Sequence, residues 1–130
     1  MAFANPELIK LLNKIKPPYN IGGATQEIVL EALGNTTFVK QSIDLIHSEK
    51  IKLVEEFSKI PQVIRVHPSQ ANFLLVNFEK AQALFDYLID EKVITRNRSN
   101  VSLCENSIRI TVGLPNENAL LVEKIKSFYL

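Results

Sequence analysis

The hydrophobic period of this chain changes at Pro61, and that change limits what it can fold into. From Thr36 to Ile60 the residues Val39, Ile43, Ile46, Val54, Phe57 and Ile60 recur by threes, fours and their multiples, the spacing of one helix face. The opposite face carries Lys40, Asp44, Glu49, Lys52 and Glu56, so the pattern predicts a one-sided helix lying on a core. Past Pro61 the apolar runs shorten. Val63–Val66 and Asn72–Phe78 read as brief strands separated by His67-Pro68-Ser69. Further on, Ile108–Val112 alternates as a strand does, with Arg109 and Thr111 on the face opposite Ile108, Ile110 and Val112.

Helical signals flank these runs. Asn5-Pro6-Glu7 places a capping residue before a proline, and Leu8, Ile9, Leu11, Leu12 and Ile15 follow at helical spacing to about Lys16. Pro17-Pro18-Tyr19-Asn20 then predicts an extended strap, because proline restricts its own φ and the residue before it. After the turn Gly22-Gly23, a second stripe of Ile28, Val29, Ala32 and Leu33 ends at Gly34-Asn35. Ala81–Asp90 is helical, with Leu84, Phe85, Leu88 and Ile89 as its apolar side. Val93-Ile94-Thr95 reads as a strand that ends on Arg96, Arg98–Glu105 as a loop, and Glu117–Tyr129 as a last helix with Leu120, Leu121, Ile125 and Phe128 inward. Three helices, two strands, a helix, two strands and a helix make an α/β (α+β) chain. The expected fold is a two-layer sandwich of helices on a small mixed or antiparallel sheet. We expect one domain over 1–130, with a helical, interdomain portion at 1–60 and the sheet-containing portion at 61–130.

An apolar content of 46% over 130 residues is enough for one hydrophobic core. The net charge of +1 gives no global attraction for nucleic acid or an anionic membrane, and no aromatic residues interleave the basic ones, so neither is expected as a partner. No stretch approaches the roughly 20 apolar residues of a membrane span. Cys104, the single cysteine, has no internal disulfide partner, which fits a reducing compartment, the cytoplasm. The first residues lack the basic start and cleavage site of a signal peptide. They open abruptly on apolar residues, as a natural N-terminus or a cut inside a longer chain does.

Few residues suggest chemistry. Arg109 is a guanidinium on a strand whose alternate residues are strongly apolar. It faces either solvent on an exposed sheet or an anion in a cleft, where its planar fork suits a carboxylate or phosphate. Arg96 stands at a neighbouring strand end beside a polar loop, with Arg98 close behind. Two arginines converging from adjacent strands make an anion site. His47 reads as an exposed helical residue and His67 as a turn hydrogen-bonder, and with Cys104 they are too scattered for a zinc site. Gly22-Gly23 lacks the wider pattern of a phosphate loop. Tyr19, with Asn20 beside it in the proline strap, is a contact to a ligand or to a neighbouring surface.

Taken together, AFANPELIKLLNKIKPPYN at Ala2–Asn20, QANFLLVNF at Gln70–Phe78, VITR at Val93–Arg96 and IRITVG at Ile108–Gly113 resemble the C-terminal small domain of fold type I, class I/II aminotransferases. The histidinol-phosphate branch is the nearest match. The resemblance implies that Arg109 grips the anionic end of the substrate and that Arg96 lines the same pocket. Together they would hold the phosphate of histidinol phosphate or a carboxylate of glutamate or 2-oxoglutarate. It also implies pyridoxal phosphate in the full-length enzyme, bound by a large domain upstream, and a homodimer when intact. The Schiff-base lysine belongs to that upstream domain, so these residues include no catalytic group and no bound cofactor, and alone should not transaminate. Two alternatives within the family stay open, an aromatic amino acid aminotransferase and a phosphothreonine-type decarboxylase. A third alternative, from another class, is a stand-alone module from Val63 onward that binds a small anionic metabolite.

Overall fold

FLLVNF alternates because it is the middle of a sheet with two unlike faces. The computed structural model describes residues 3–16 and 21–130. It divides into two units, Met1–Val39 and Lys40–Leu130. In the second unit the strands β1 (Val63–Val66), β2 (Phe73–Phe78), β3 (Arg96–Asn97) and β4 (Ser107–Thr111) form one sheet in the order β1-β2-β4-β3. Every neighbouring pair is antiparallel. Leu74 pairs with Ile110 and Val76 with Ile108, so the inner halves of the two central strands coincide. On this inner face pack α3 (Thr36–Ser58) through Leu53 and Phe57, α4 (Ala81–Asp90) through Leu84 and Leu88, and α5 (Pro115–Tyr129) through Leu121, Val122 and Ile125. Burying such side chains stabilises by roughly 1.5 to 3 kcal/mol each, which makes this layer the main source of stability.

The first unit holds α1 (Pro6–Ile15), α2 (Gly23–Gly34) and the start of α3. Asn5 caps α1 by accepting from the Glu7 N–H at 2.9 Å, and Asn35 does the same for Phe38 at 3.2 Å. Neither α1 nor α2 buries a residue, and Ile15, Ile28, Leu30 and Leu33 are each more than half exposed.

Several expectations need correction. Val93-Ile94-Thr95 is not a strand; β3 is the pair Arg96–Asn97. Lys92 enters the left-handed region at φ 64°, and the Val93 N–H turns back to the Leu88 carbonyl at 2.8 Å, which closes the end of α4 and leaves Ile94 84% exposed. The ladder with β4 starts only at Arg96, so that residue begins its strand instead of ending it. Glu49, expected outside, is 3% exposed, whereas Val39, Ile43 and Val54 of the expected stripe are exposed and Leu53 takes the core position. Ile89 and Leu120, expected inward, are also exposed.

Glu49 is buried because it has partners. Its carboxylate meets Lys52 at 2.7 Å and accepts from Asn118 Nδ2 at 2.9 Å, and these bonds hold its pKa below the ordinary carboxylate value. Asn118, itself 5% exposed, also takes the Gly113 N–H at 2.9 Å and donates to the Gly113 carbonyl at 3.0 Å. One side chain thus fastens the end of β4 to α5 and, through Glu49, to α3. Gly113 leaves room for the cap at the head of α5. A Cβ there would stand 2.6 Å from the Glu117 carboxylate, which accepts the Leu114 N–H at 2.7 Å at the head of α5. Asn118→Ala should lower stability by about 2 to 3 kcal/mol, read from the urea midpoint, because it strands the Glu49 carboxylate and both polar groups of Gly113.

A second link between α3 and α5 is electrostatic. Glu56 accepts from Lys126 at 2.7 Å and from Lys59 at 2.5 Å, and those bonds bring its pKa down from 4.5 to about 2. A carboxyl that titrates lower when folded adds stability in full above pH 4.5 and loses it as pH falls toward about 2. Glu56→Gln should therefore flatten the acid limb of a stability profile between those values, measured as the urea midpoint against pH.

Candidate functional site

The alternation that puts Ile108 and Ile110 in the core leaves Arg109 on the second face of the sheet. Cross-strand pairing sets two rows there. His67 donates its backbone N–H to the Leu75 carbonyl at 2.9 Å, Leu75 pairs with Arg109, and Arg109 with Arg96. The adjoining row joins Arg65, Asn77 and Ser107, and it is extended by the Arg98 N–H, which donates to the Ser107 carbonyl at 2.8 Å. Residues in register share a face, so the structure brings Arg96 and Arg109 together, as the sequence suggested. Tyr19 and Asn20 lie outside the described residues.

Arg109 is half-buried. Its guanidinium carbon sits 5.1 Å from the centre of the Phe73 ring, a cation–π contact from β4 across to β2. Its Nε is sealed from solvent and has no hydrogen-bond partner. Burial pushes its pKa below the usual arginine value, and the charges of Arg96 and Arg98 push the same way. The group stays charged at any pH a folded protein meets. Among the described residues, no carboxylate lies within salt-bridge distance of any of these three arginines.

Beside it runs a polar chain that sequence reasoning missed. Asn77 donates through Nδ2 to Ser107 Oγ at 2.9 Å and to the Glu105 carbonyl at 2.8 Å. Its Oδ1 is left as an acceptor, so His67 Nε2, 2.6 Å away, is the donor and the tautomer follows from the network. The polar position in FLLVNF was the available signal. His67 is thus a hydrogen-bonding residue, as expected of a turn histidine. Among the described residues no group of histidine, cysteine and carboxylates is placed to hold a metal. A cleft of about 530 Å³ between α3 and α5, bordered by Glu49, Glu56 and Lys126, touches none of the arginines.

Arg109→Leu should leave the chain no less stable at low salt, because the gain from removing an unpartnered Nε and a like-charge contact offsets the lost contact with the Phe73 ring. Urea unfolding at low and high salt measures this, and the gain should shrink at high salt.

The family described as aminotransferase class I and II matches residues 1–125. The chain is 45% identical over 130 residues to histidinol-phosphate aminotransferase from Parabacteroides distasonis, covering 100% of this chain and 38% of that protein. It is 44% identical over 127 residues to histidinol-phosphate aminotransferase from Cytophaga hutchinsonii, covering 98% of this chain and 36% of that one. The chain therefore spans little more than a third of these relatives. Among solved structures, histidinol-phosphate aminotransferase from Clostridium acetobutylicum superposes with a TM-score of 0.87 at 24% identity, over 95% of this chain and 38% of that one. The L-threonine-O-3-phosphate decarboxylase from Porphyromonas gingivalis gives 0.78 at 23% identity, over 97% and 40%. At such identities these two structures speak for the fold alone.

Proposed function

Because the chain belongs to the class I and II aminotransferase family, we propose that it forms the C-terminal small domain of a transaminase that moves an amino group between histidinol phosphate and 2-oxoglutarate in histidine biosynthesis. The observation that carries this reading is the unpaired arginine row, Arg96 beside Arg109. Both substrates end in an anion, and a preset pair of guanidinium forks positions either by that shared feature. The rest of the protein supplies the upstream cofactor domain. The intact enzyme in this reading is a cytoplasmic homodimer, with Tyr19 and Asn20 as interface or ligand contacts by resemblance.

Class I and II aminotransferases use pyridoxal phosphate, and this chain's lysines do not fit the anchor that cofactor needs. A Schiff-base lysine must be a free amine beside the cofactor. Lys50 instead donates to the carbonyls of Ser69 and Ala71 at 2.9 and 3.1 Å. Lys52, Lys59, Lys124 and Lys126 are paired with carboxylates at 2.5 to 2.7 Å, and Lys10, Lys14, Lys16, Lys40, Lys80 and Lys92 are exposed. The covalent chemistry belongs to the remainder of the protein, and this part holds the substrate's anionic end in place. When the small domain shifts over bound substrate, the arginines couple anion binding to that closure.

In the full-length enzyme, Arg109→Ala should raise KM for histidinol phosphate and for glutamate by tenfold or more, on the order of one lost charged hydrogen bond. The cofactor's absorbance should be unaltered. Steady-state kinetics on both substrates checks this, and unchanged constants would remove Arg109 from the site.

A further inference from the structure

The fifteen basic side chains of this chain are sorted by type. All eleven lysines lie on helices or at helix ends, and all four arginines, Arg65, Arg96, Arg98 and Arg109, lie in the two rows on one face of the sheet. Lysine supplies a hydrated point charge, whereas arginine supplies a planar fork matched to carboxylate or phosphate oxygens. Arg65 and Arg98 are the members of this set that the two-arginine reading leaves unused, and of the two it is Arg98 whose charge bears on Arg109, Arg65 standing on the far β1 edge. The Arg98 backbone is held on both sides: its N–H bonds to the Ser107 carbonyl and its carbonyl accepts the Val101 N–H, each at 2.8 Å. It lies one residue beyond β3, and its pairing with Ser107 continues the register with β4, so two residues past Arg96 it returns to the face of Arg96 and Arg109.

We propose that Arg98 is a third guanidinium of the anion site, and that it selects a phosphate monoester over a carboxylate. The proposal rests on the reading above and deepens it. Its basis is charge. Three arginines without a carboxylate partner repel one another, and Arg109 senses both of the others. A carboxylate brings one negative charge to that cluster, while a phosphate monoester at neutral pH brings about 1.5 to 2 and has three acceptor oxygens. Two forks suffice for the first ligand, and the third is used only by the second. The other titratable groups on this face are Arg65 and His67 from the β1 edge. On the adjoining loop is Glu105, whose carboxylate already accepts the Leu103 N–H at 3.2 Å.

The test uses the full-length enzyme with its cofactor and compares wild type, Arg98→Gln and Arg98→Lys. Kinetics with histidinol phosphate and with glutamate are followed from about pH 5.5 to 8, across the second phosphate ionisation near 6. Binding of inorganic phosphate is measured by calorimetry. We expect Arg98→Gln to lower kcat/KM for histidinol phosphate about tenfold more than for glutamate. It should weaken inorganic phosphate by a similar factor and flatten the rise in phosphate affinity with pH, and Arg98→Lys should recover part of each. Equal losses on both substrates, or an unchanged phosphate affinity, would overturn the role of Arg98. Failure of the parent reading looks different: the wild-type enzyme does not turn over histidinol phosphate, or Arg109→Ala leaves both substrates unaffected. Even then the calorimetric arm decides whether Arg98 binds phosphate.

Discussion

The two-residue period of the central strands is the constraint on which the rest of this structure depends. β2 and β4 are locked in register from Phe73 against Thr111 to Asn77 against Ser107. That one ladder sends Leu74, Val76, Ile108 and Ile110 into the core and, by the same geometry, sets Leu75, Asn77 and Arg109 on the opposite side. The side chains that hold α3, α4 and α5 and those that form the arginine-bearing face are successive residues of the same strands. The hydrophobic layer thereby also fixes the arginines, since Arg109 cannot change sides without moving Ile108 and Ile110 out of the core.

At the far end of β4 the strand must turn into α5 without disturbing that register. Gly113 leaves space for Glu117 to take the Leu114 N–H, and Asn118 binds both polar groups of the Gly113 peptide while reaching Glu49. These bonds connect the strand that carries Arg109 to two helices of the core layer. Rigid support of this kind would serve the proposed anion site, since forked hydrogen bonds tolerate little displacement.

Much of this was legible in the residues. Alternation in Ile108–Val112 placed Arg109 correctly opposite the core, and the apolar periods gave the element order apart from β3, with the sheet expected as mixed or antiparallel and found antiparallel throughout. What the pattern could not carry depended on partners far apart in the chain. Glu49 looks like a surface residue until Asn118 is brought to it, and Asn118 looks like one until Glu49 is. Val93–Thr95 has strand-like composition, but the end of α4 claims the Val93 N–H first. The place of Arg98 was hidden for a similar reason. Only the pairing with Ser107 shows that it shares a face with Arg109.

The division of each central strand between two faces has a consequence for how such a protein can diversify. Side chains at Leu75, Asn77, Arg96, Arg98 and Arg109 can be exchanged while Leu74, Val76, Ile108 and Ile110 stay as they are, because no inner contact passes through the outer positions. Point substitution can thus retune what this surface recognises without rebuilding the scaffold. An insertion or deletion of one residue within β4 has the opposite character: it would exchange the roles of Arg109 and Ile110, putting a guanidinium into the interior and an isoleucine on the ligand side. Descendants of such a chain should therefore differ in the identity of these outer residues and share the length of their central strands.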